Sequence, residues 1–310
     1  MKRFAITCLI ALTAFAVSAH PGHEDAQPLL LASAQNAEPA KDSSLVSQVA
    51  ITIEGGQRVI RANGMPNHAT GQFPGRGNPN RISAQRYEFH LALNPKTNAT
   101  TRGSQGAWFG VALNGVPFEP GTAEFWNGQR EWVMEAKSGF INLGIDMNNA
   151  HVQPTGAYHY HGMPTGLIQK LGANADKMLL VGYAADGFPI YTSLAHTVAT
   201  NAASPLKQMR SSWQLKQGER DGGPGGKPDG KYTRDYEYVA GSGDLDECNG
   251  RFGVTPEYPA GTYYYCITEE FPQLARSWRG TPDASFFKRG GPNGGAQRPP
   301  PFRRPPPGSN

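Results

Sequence analysis

Two histidines separated by one residue are the side chains in this sequence best able to bind a metal ion. They are His159 and His161, which alternate with two tyrosines between the turn formers Gly156 and Pro164. In an extended strand, residues two apart point to the same face, so both imidazoles could reach one ion. Imidazole nitrogens are common ligands of zinc and copper. Two ligands do not complete a site, and His151 is the nearest further candidate in sequence.

Other side chains could join these histidines if the fold brings them together. These further candidates are His68, His90, His196, Asp146 and Asp186. An alternative without metal is that the two imidazoles pack with Tyr158 and Tyr160 in a polar, hydrogen-bonded patch. Sequence spacing alone is compatible with both interpretations.

A second tyrosine-rich segment repeats the pattern. Residues 259–266 share the Pro-x-Gly-x-Tyr-x-Tyr frame of residues 154–160. In this frame Tyr264 and Cys266 take the places of the two histidines. The repeat predicts two related strands, although eight residues are a short basis for it.

Two cysteines remain once the first nineteen residues are set aside, and they allow two interpretations. A Cys248–Cys266 disulfide is expected in an oxidising compartment, where it would stabilise the fold by roughly 3 kcal/mol. Alternatively, Cys266 is a thiolate ligand beside the histidines. The two interpretations exclude each other.

Several other site types have weaker support. Residues 244–250 bring three carboxylates together, which makes calcium a less favoured candidate than copper or zinc because the spacing of an EF-hand is absent. No histidine follows His196, which excludes the usual blue-copper loop. The sequence also lacks a Gly-x-Ser-x-Gly elbow, a phosphate-binding loop and a His-Glu-x-x-His motif.

The ends of the chain differ in composition from its body. Residues 1–19 have the basic start, apolar run and small-residue end of a signal peptide, which predicts a periplasmic or secreted protein with no transmembrane segment after cleavage. Residues 20–45 read as a flexible leader, and residues 281–310 as a disordered Gly/Pro/Arg tail that could touch an anionic surface. The formal charge of +4 comes from residues 1–19 and 281–310. Residues 20–280 carry about −2, so nucleic acid is not an expected partner.

Residues 46–280 show the pattern of one all-β domain. Apolar residues alternate with polar ones in short runs, and Asn-Gly or Asp-Gly turns at Asn114, Asn127 and Asp186 separate several of them. We expect mainly antiparallel sheets in a sandwich or barrel-like arrangement, with long loops. One or two short helices are expected, around residues 167–171 and 273–278.

Five separate blocks of the sequence together resemble the YHYH domain family of exported bacterial proteins. The blocks are residues 113–121, 148–154, 158–162, 182–191 and 244–251. The resemblance implies an exported, β-rich domain of poorly defined activity, and it carries over no catalytic residue.

Three functional hypotheses follow. The first is an exported protein that binds copper or zinc through His159, His161 and His151. The second is an extracellular binding or scaffold module, in which structural histidines only pack and an aromatic groove elsewhere recognises an unknown glycan or protein ligand. The third is a metal-dependent hydrolase or oxidase with a carboxylate such as Asp186 or Glu247 as general base. The sequence leaves the catalytic residues unknown.

Overall fold

The computed structural model describes residues 46–172 and 177–288, so the expected signal peptide, the leader and residues 289–310 of the expected tail lie outside the described residues. The described part is built from short strands, and its longest helix has six residues. The expected all-β fold class is therefore confirmed. Among these residues no helix combines the length and the apolarity needed to cross a bilayer.

The described residues form seventeen strands and one α-helix. The strands are β1 (Val49–Glu54), β2 (Gln57–Ala62), β3 (Tyr87–Ala92), β4 (Thr97–Gly103), β5 (Gly110–Ala112), β6 (Pro117–Phe118), β7 (Ala150–Val152), β8 (Tyr158–Tyr160), β9 (Leu180–Ala184), β10 (Pro189–Tyr191), β11 (Leu194–His196), β12 (Leu206–Gln208), β13 (Trp213–Leu215), β14 (Tyr236–Tyr238), β15 (Gly250–Gly253), β16 (Thr262–Cys266) and β17 (Ser277–Gly280). The helix α1 is Thr165–Lys170, which overlaps the first segment expected to be helical, residues 167–171.

An eight-stranded sheet forms the centre of the fold, in the order β15-β16-β10-β9-β5-β6-β8-β7. Its neighbours pair antiparallel except for β6 with β8 and β10 with β16, which are parallel. The β5–β6 hairpin turns at Asn114-Gly115 and the β9–β10 hairpin at Asp186-Gly187, where both glycines have positive φ as such turns require. Pro189 is the first residue of β10, a position where proline disrupts no later ladder bond.

From either edge toward the centre, the sheet has the same succession of strands: an edge strand, a tyrosine-rich strand and then the two strands of a hairpin. We call β5, β6, β7 and β8 the first half and β9, β10, β15 and β16 the second half. Each half contains a hairpin, and the second strand of that hairpin runs parallel to a tyrosine-rich strand, β8 or β16. Each tyrosine-rich strand then pairs antiparallel with an edge strand, β7 or β15.

The fold also contains four smaller sheets. They have the orders β1-β2-β3, β17-β4, β11-β12 and β13-β14, and all their pairs are antiparallel. The core between them is rich in aromatic side chains, including fully buried Tyr160, Tyr265 and Trp278. Phenolic and indole groups need hydrogen-bond partners when buried, so this core contains many internal polar contacts.

Two predictions from the sequence need correction, a helix and the end of the domain. The helix expected around residues 273–278 is wrong, because Gln273 has a positive φ of 52° and β17 pairs with β4. The packed fold also continues past residue 280. Phe286 is fully buried and stacks on Phe89 at 4.4 Å between ring centroids, so residues 281–288 belong to the domain.

Candidate metal centre

The edge pair β7–β8 brings the predicted histidines together. His151 lies directly opposite His159 in the antiparallel register. The connection turns at Gly156, which has a φ of +84°. Its N–H donates to the Gln153 carbonyl at 2.8 Å, and this hydrogen bond closes the hairpin. His161 follows β8, and its backbone N–H donates to the Asn149 carbonyl at 2.7 Å. Strand alternation and a tight turn are therefore sufficient to place all three imidazoles on one side.

The three rings form a compact triangle. Ring centroids are 4.6 Å apart for His151 and His159, 4.8 Å for His151 and His161, and 4.7 Å for His159 and His161. One ligand atom from each residue lies within 4.8 Å of the other two. The Nε2 atoms of His159 and His161 are 3.0 Å apart. Two nitrogens bound to one ion at about 2.0–2.1 Å each have a separation near 3 Å, so this spacing fits a shared ion.

Backbone carbonyls orient two of the rings. The Nδ1 atom of His151 is 2.9 Å from the Leu143 carbonyl oxygen, and that of His159 is 3.2 Å from the Ala157 carbonyl oxygen. A carbonyl only accepts, so each Nδ1 carries the proton and each Nε2 keeps a lone pair. A carbonyl that holds the far nitrogen of a histidine is typical of metal sites. The buried Nδ1 of His161 has no hydrogen-bond partner among the described residues.

Burial keeps these histidines neutral. His159 and His161 are 1% and 3% exposed, and desolvation lowers the pKa of each well below its usual value, with neighbouring histidines lowering it further. Desolvation also lowers the pKa of His151, although the hydrogen bond to Leu143 opposes this effect. Neutral imidazole is the form that binds a metal ion. The centre is therefore in its ligating state at neutral pH.

The tyrosines of the same strand belong to the opposite face. The Tyr158 hydroxyl donates to Asp146 at 2.7 Å, and the Tyr160 hydroxyl accepts from Asn114 at 2.9 Å. His68 contacts Tyr160 on that face, with its Nε2 2.6 Å from the hydroxyl. His159 and His161 therefore do not pack in one patch with Tyr158 and Tyr160, as the alternative without metal expected. His68 is not part of the histidine triangle.

The remaining sequence candidates have other partners elsewhere in the fold. His90 lies 3.1 Å from Glu88, and Nδ1 of His196 lies 2.9 Å from the Ser204 carbonyl oxygen. Asp186 is buried and accepts from Tyr265, while Glu247 lies 3.3 Å from Arg279. None of these, nor Asp146, joins His151, His159 and His161 in the one metal-competent group found among the described residues.

Glu119 is the functional candidate that sequence reasoning missed. Its Oε2 is 3.4 Å from Nε2 of His159, and its side chain is 15% exposed. The parallel pairing of β6 with β8 sets this position, because the Glu119 N–H donates to the Tyr160 carbonyl at 2.9 Å. Burial raises the pKa of Glu119, while the ammonium of Lys288 lowers it. The only sequence signal at this segment is that residues 113–121 form one of the blocks that resemble the YHYH family.

A cavity of about 630 Å³ adjoins the histidines, and all three line it together with Glu119. Its wall also includes Glu124, Phe125 and Arg130. Lys288 lies at the same cavity, with its Nζ 4.1 Å from the centre of the Trp108 ring. The histidine centre therefore faces a space large enough for a small molecule.

The two cysteines do not form the expected disulfide. Cys248 and Cys266 are both free and buried. The register places Asn249 next to Cys266, whose N–H donates to the Asn249 carbonyl at 3.0 Å, so Cys248 lies one residue beyond the facing position. Cys266 is also absent from the histidine group, which removes the thiolate alternative.

The acidic turn at residues 244–250 has partners within the protein. Asp244 pairs with Lys207 at 2.6 Å, and Asp246 accepts from the Tyr263 hydroxyl at 2.9 Å. The lining of a surface hollow of about 510 Å³ next to this turn includes Tyr238, Phe252 and Tyr263 among charged residues and glycines. It lies at the β15 edge of the sheet, away from the histidines, but it is not the aromatic-lined groove that the binding-module hypothesis expects.

Comparison with known proteins gives one match. The family model described as YHYH protein matches residues 88–280, more than half of the chain. The matched region contains all three histidines and Glu119. No curated protein matches the sequence, and no solved structure matches it.

Proposed function

Because this chain belongs to the YHYH protein family and gathers three histidines at one edge of its central sheet, we propose that it is an exported protein that binds a transition metal ion, copper or zinc. The ligands are His151, His159 and His161. The observation that carries this proposal is the convergence of their ring nitrogens within 4.8 Å in a buried site.

The donor chemistry supports a borderline divalent ion. The three ligands are imidazoles, which suit zinc and copper, whereas calcium prefers oxygen ligands. Export is supported by the sequence of residues 1–19 alone. Cell fractionation, with the chain followed in the periplasm and medium, tests that part separately.

Metal analysis of the purified protein tests the binding. We expect about one zinc or copper ion per chain after equilibration and dialysis, with a higher thermal midpoint than the metal-free protein. An ion present at a hundred times its Kd would add about 2.7 kcal/mol to the free energy of unfolding. His159→Ala and His161→Ala should each lose the ion and this stabilisation.

A histidine outside the centre provides the matched control. His90 is an intermediate-exposure residue on β3 that pairs with Glu88, so His90→Ala should bind the ion like the wild type. Substoichiometric metal in the wild type, with no change in thermal midpoint on adding zinc or copper, would contradict the proposal.

A metal-dependent hydrolase or oxidase is the second candidate. It is favoured by the adjoining cavity and by a carboxylate 3.4 Å from His159. That carboxylate is Glu119, in place of the Asp186 or Glu247 that the sequence suggested. Turnover of chromogenic ester, phosphate or phenol substrates by the metal-loaded protein, abolished in His159→Ala, would support this class.

A further inference from the structure

The position of Glu119 suggests that the histidine triangle is incomplete without it. Its Oε2 is 3.4 Å from the same His159 Nε2 that lies 3.0 Å from Nε2 of His161. Ligands that are each about 2.0–2.2 Å from one ion lie about 3 to 3.5 Å from each other, so both separations fit a common coordination sphere. We propose that Glu119 is the fourth ligand of the ion, an inference that rests on the proposed metal function and that replaces the general-base role Glu119 would have in a hydrolase or oxidase.

The contacts of His159 support this assignment. Its Nδ1 carries the proton toward the Ala157 carbonyl, which leaves a lone pair on Nε2. The carboxylate oxygen facing that lone pair is itself an acceptor. Two acceptors facing each other in a buried site repel unless a proton or a metal ion lies between them. A divalent ion bound by both atoms removes that conflict.

Two neighbours hold the carboxylate in place. The side-chain amide of Gln153 donates to Oε2 at 2.6 Å, and Lys288 pairs with Oε1. Gln153 follows β7, so the strand that supplies His151 also orients the fourth ligand. Outer groups that hydrogen-bond to a ligand in this way fix its direction and tune its charge.

The resulting donor set narrows the class of ion. Three neutral imidazoles and one carboxylate contain no sulfur. This donor set favours Zn²⁺ or Cu²⁺ over Cu⁺, which prefers thiolate and thioether ligands. The net donor charge of −1 offsets half the charge of a divalent ion. Lys288 would then pair with the ligated carboxylate from the cavity side.

Spectroscopy of Glu119→Gln in the full chain tests the proposal. Zinc affinity is measured by calorimetry, and Co²⁺ serves as a probe because its visible absorption depends on the number and type of ligands. We expect zinc affinity to fall by more than about 10-fold and the Co²⁺ spectrum to change. Affinity alone is not decisive, since losing an outer-shell partner also costs about 10- to 100-fold.

Two further variants keep the test decisive. Glu124→Gln removes a carboxylate from the same cavity and should leave both the affinity and the spectrum unchanged. Glu119→Asp keeps the charge on a shorter side chain and should bind Co²⁺ with a shifted spectrum even if Glu119→Gln folds poorly.

The outcomes separate this inference from its premise. Wild-type Co²⁺ spectra in both Glu119 variants would overturn the assignment of Glu119 while leaving the histidine site intact. Failure of the wild-type chain to bind zinc or Co²⁺ would overturn the metal centre itself.

Discussion

The two halves of the central sheet have the same backbone arrangement, yet their edge pairs carry different side chains. The register of β7 with β8 matches that of β15 with β16, so each position in one pair has a counterpart in the other. The counterparts are His151 and Arg251, His159 and Tyr264, His161 and Cys266, and the buried Tyr160 and Tyr265. The three histidines therefore correspond to three different residue types in the second half.

The supporting contacts are the same in both halves. Asp146 accepts from the Asn148 N–H at 2.8 Å, and Asp246 accepts from the Cys248 N–H at 2.9 Å. Each aspartate also accepts from a tyrosine hydroxyl of the neighbouring strand. Asn149 and Asn249 both have a φ of +54°, and their carbonyls accept from the residue that follows or ends the tyrosine-rich strand.

The side chains that differ between the halves also differ in how their polar atoms are satisfied. In the second half, Arg251 Nε donates to the Tyr264 hydroxyl at 2.6 Å, and its guanidinium also donates to the His196 carbonyl. In the first half, the Nε2 atoms of His159 and His161 lie 3.0 Å apart, and the buried Nδ1 of His161 has no hydrogen-bond partner among the described residues. The same backbone arrangement thus forms without histidines at these positions, so the fold does not depend on them, as the proposed metal site expects.

The largest expected change in stability comes from removing Asp146 or Asp246, which hold the two edge pairs in place. Asp146→Ala and Asp246→Ala each leave backbone N–H groups and a tyrosine hydroxyl without their acceptor. A hydrogen bond to a charged group contributes about 1.5–3 kcal/mol, so we expect each variant to lose about 3–5 kcal/mol of unfolding free energy. Urea unfolding of the metal-free protein measures this loss.

Metal affinity should separate the two variants. Asp146 positions β7 and β8, so Asp146→Ala should weaken zinc binding by roughly 10- to 100-fold, as for other groups that support a ligand. Asp246→Ala acts on the second half and should bind zinc like the wild type. Equal losses of affinity in both variants would show that the halves are not independent in the way the structure indicates.

The hairpin turns of the two halves should contribute differently to the pH dependence of the unfolding free energy, and this effect is of intermediate size. Asn114 contacts Tyr160 in the first half, whereas the counterpart Asp186 accepts from Tyr265 and from the Gly280 N–H. Burial raises the pKa of Asp186 from 3.8 to about 6. The folded state therefore holds a proton that the unfolded chain releases, and stability falls as pH rises from about 4 to about 6. The shift corresponds to about 3 kcal/mol.

Unfolding free energies at pH 4, 5, 6 and 7 check this contribution. Asp186→Asn should remove about 3 kcal/mol of the decline seen in the wild type, since its side chain does not titrate. Glu237→Gln, a change of an exposed residue on β14, should leave the decline unchanged. Parallel pH profiles for the wild type and Asp186→Asn would rule out the buried proton.

Local sequence patterns account for much of the first half. Alternation along β8 places His159 and His161 on one side, and the tight return at Gly156 makes His151 a neighbour. The repeat of the Pro-x-Gly-x-Tyr-x-Tyr frame also predicts the relation of β8 to β16. These features depend on residues close together in sequence, where turn chemistry and strand period decide the structure.

Features that depend on distant pairing were not accessible in this way. Glu119 reaches His159 because β6 pairs in parallel with β8, and no local pattern specifies a parallel partner. The segment around Trp278 becomes a strand through pairing with β4, which overrides its helical character. Lys288 joins the site through contacts of residues 281–288 with the core, although the composition around it is typical of a disordered tail.

The smallest effect concerns the cysteines, where the second half replaces His161 by Cys266. Burial raises the pKa of Cys266 to about 12 and also raises the pKa of Cys248, so neither thiol should react with iodoacetamide in the folded protein. In a Cys8→Ser variant, we expect two thiols per chain after unfolding and the same thermal midpoint with and without reductant. A disulfide would instead add roughly 3 kcal/mol, and reduction would lower the midpoint. Such a fall would show that β15 and β16 can shift by one residue, and the match between the two edge pairs would no longer hold.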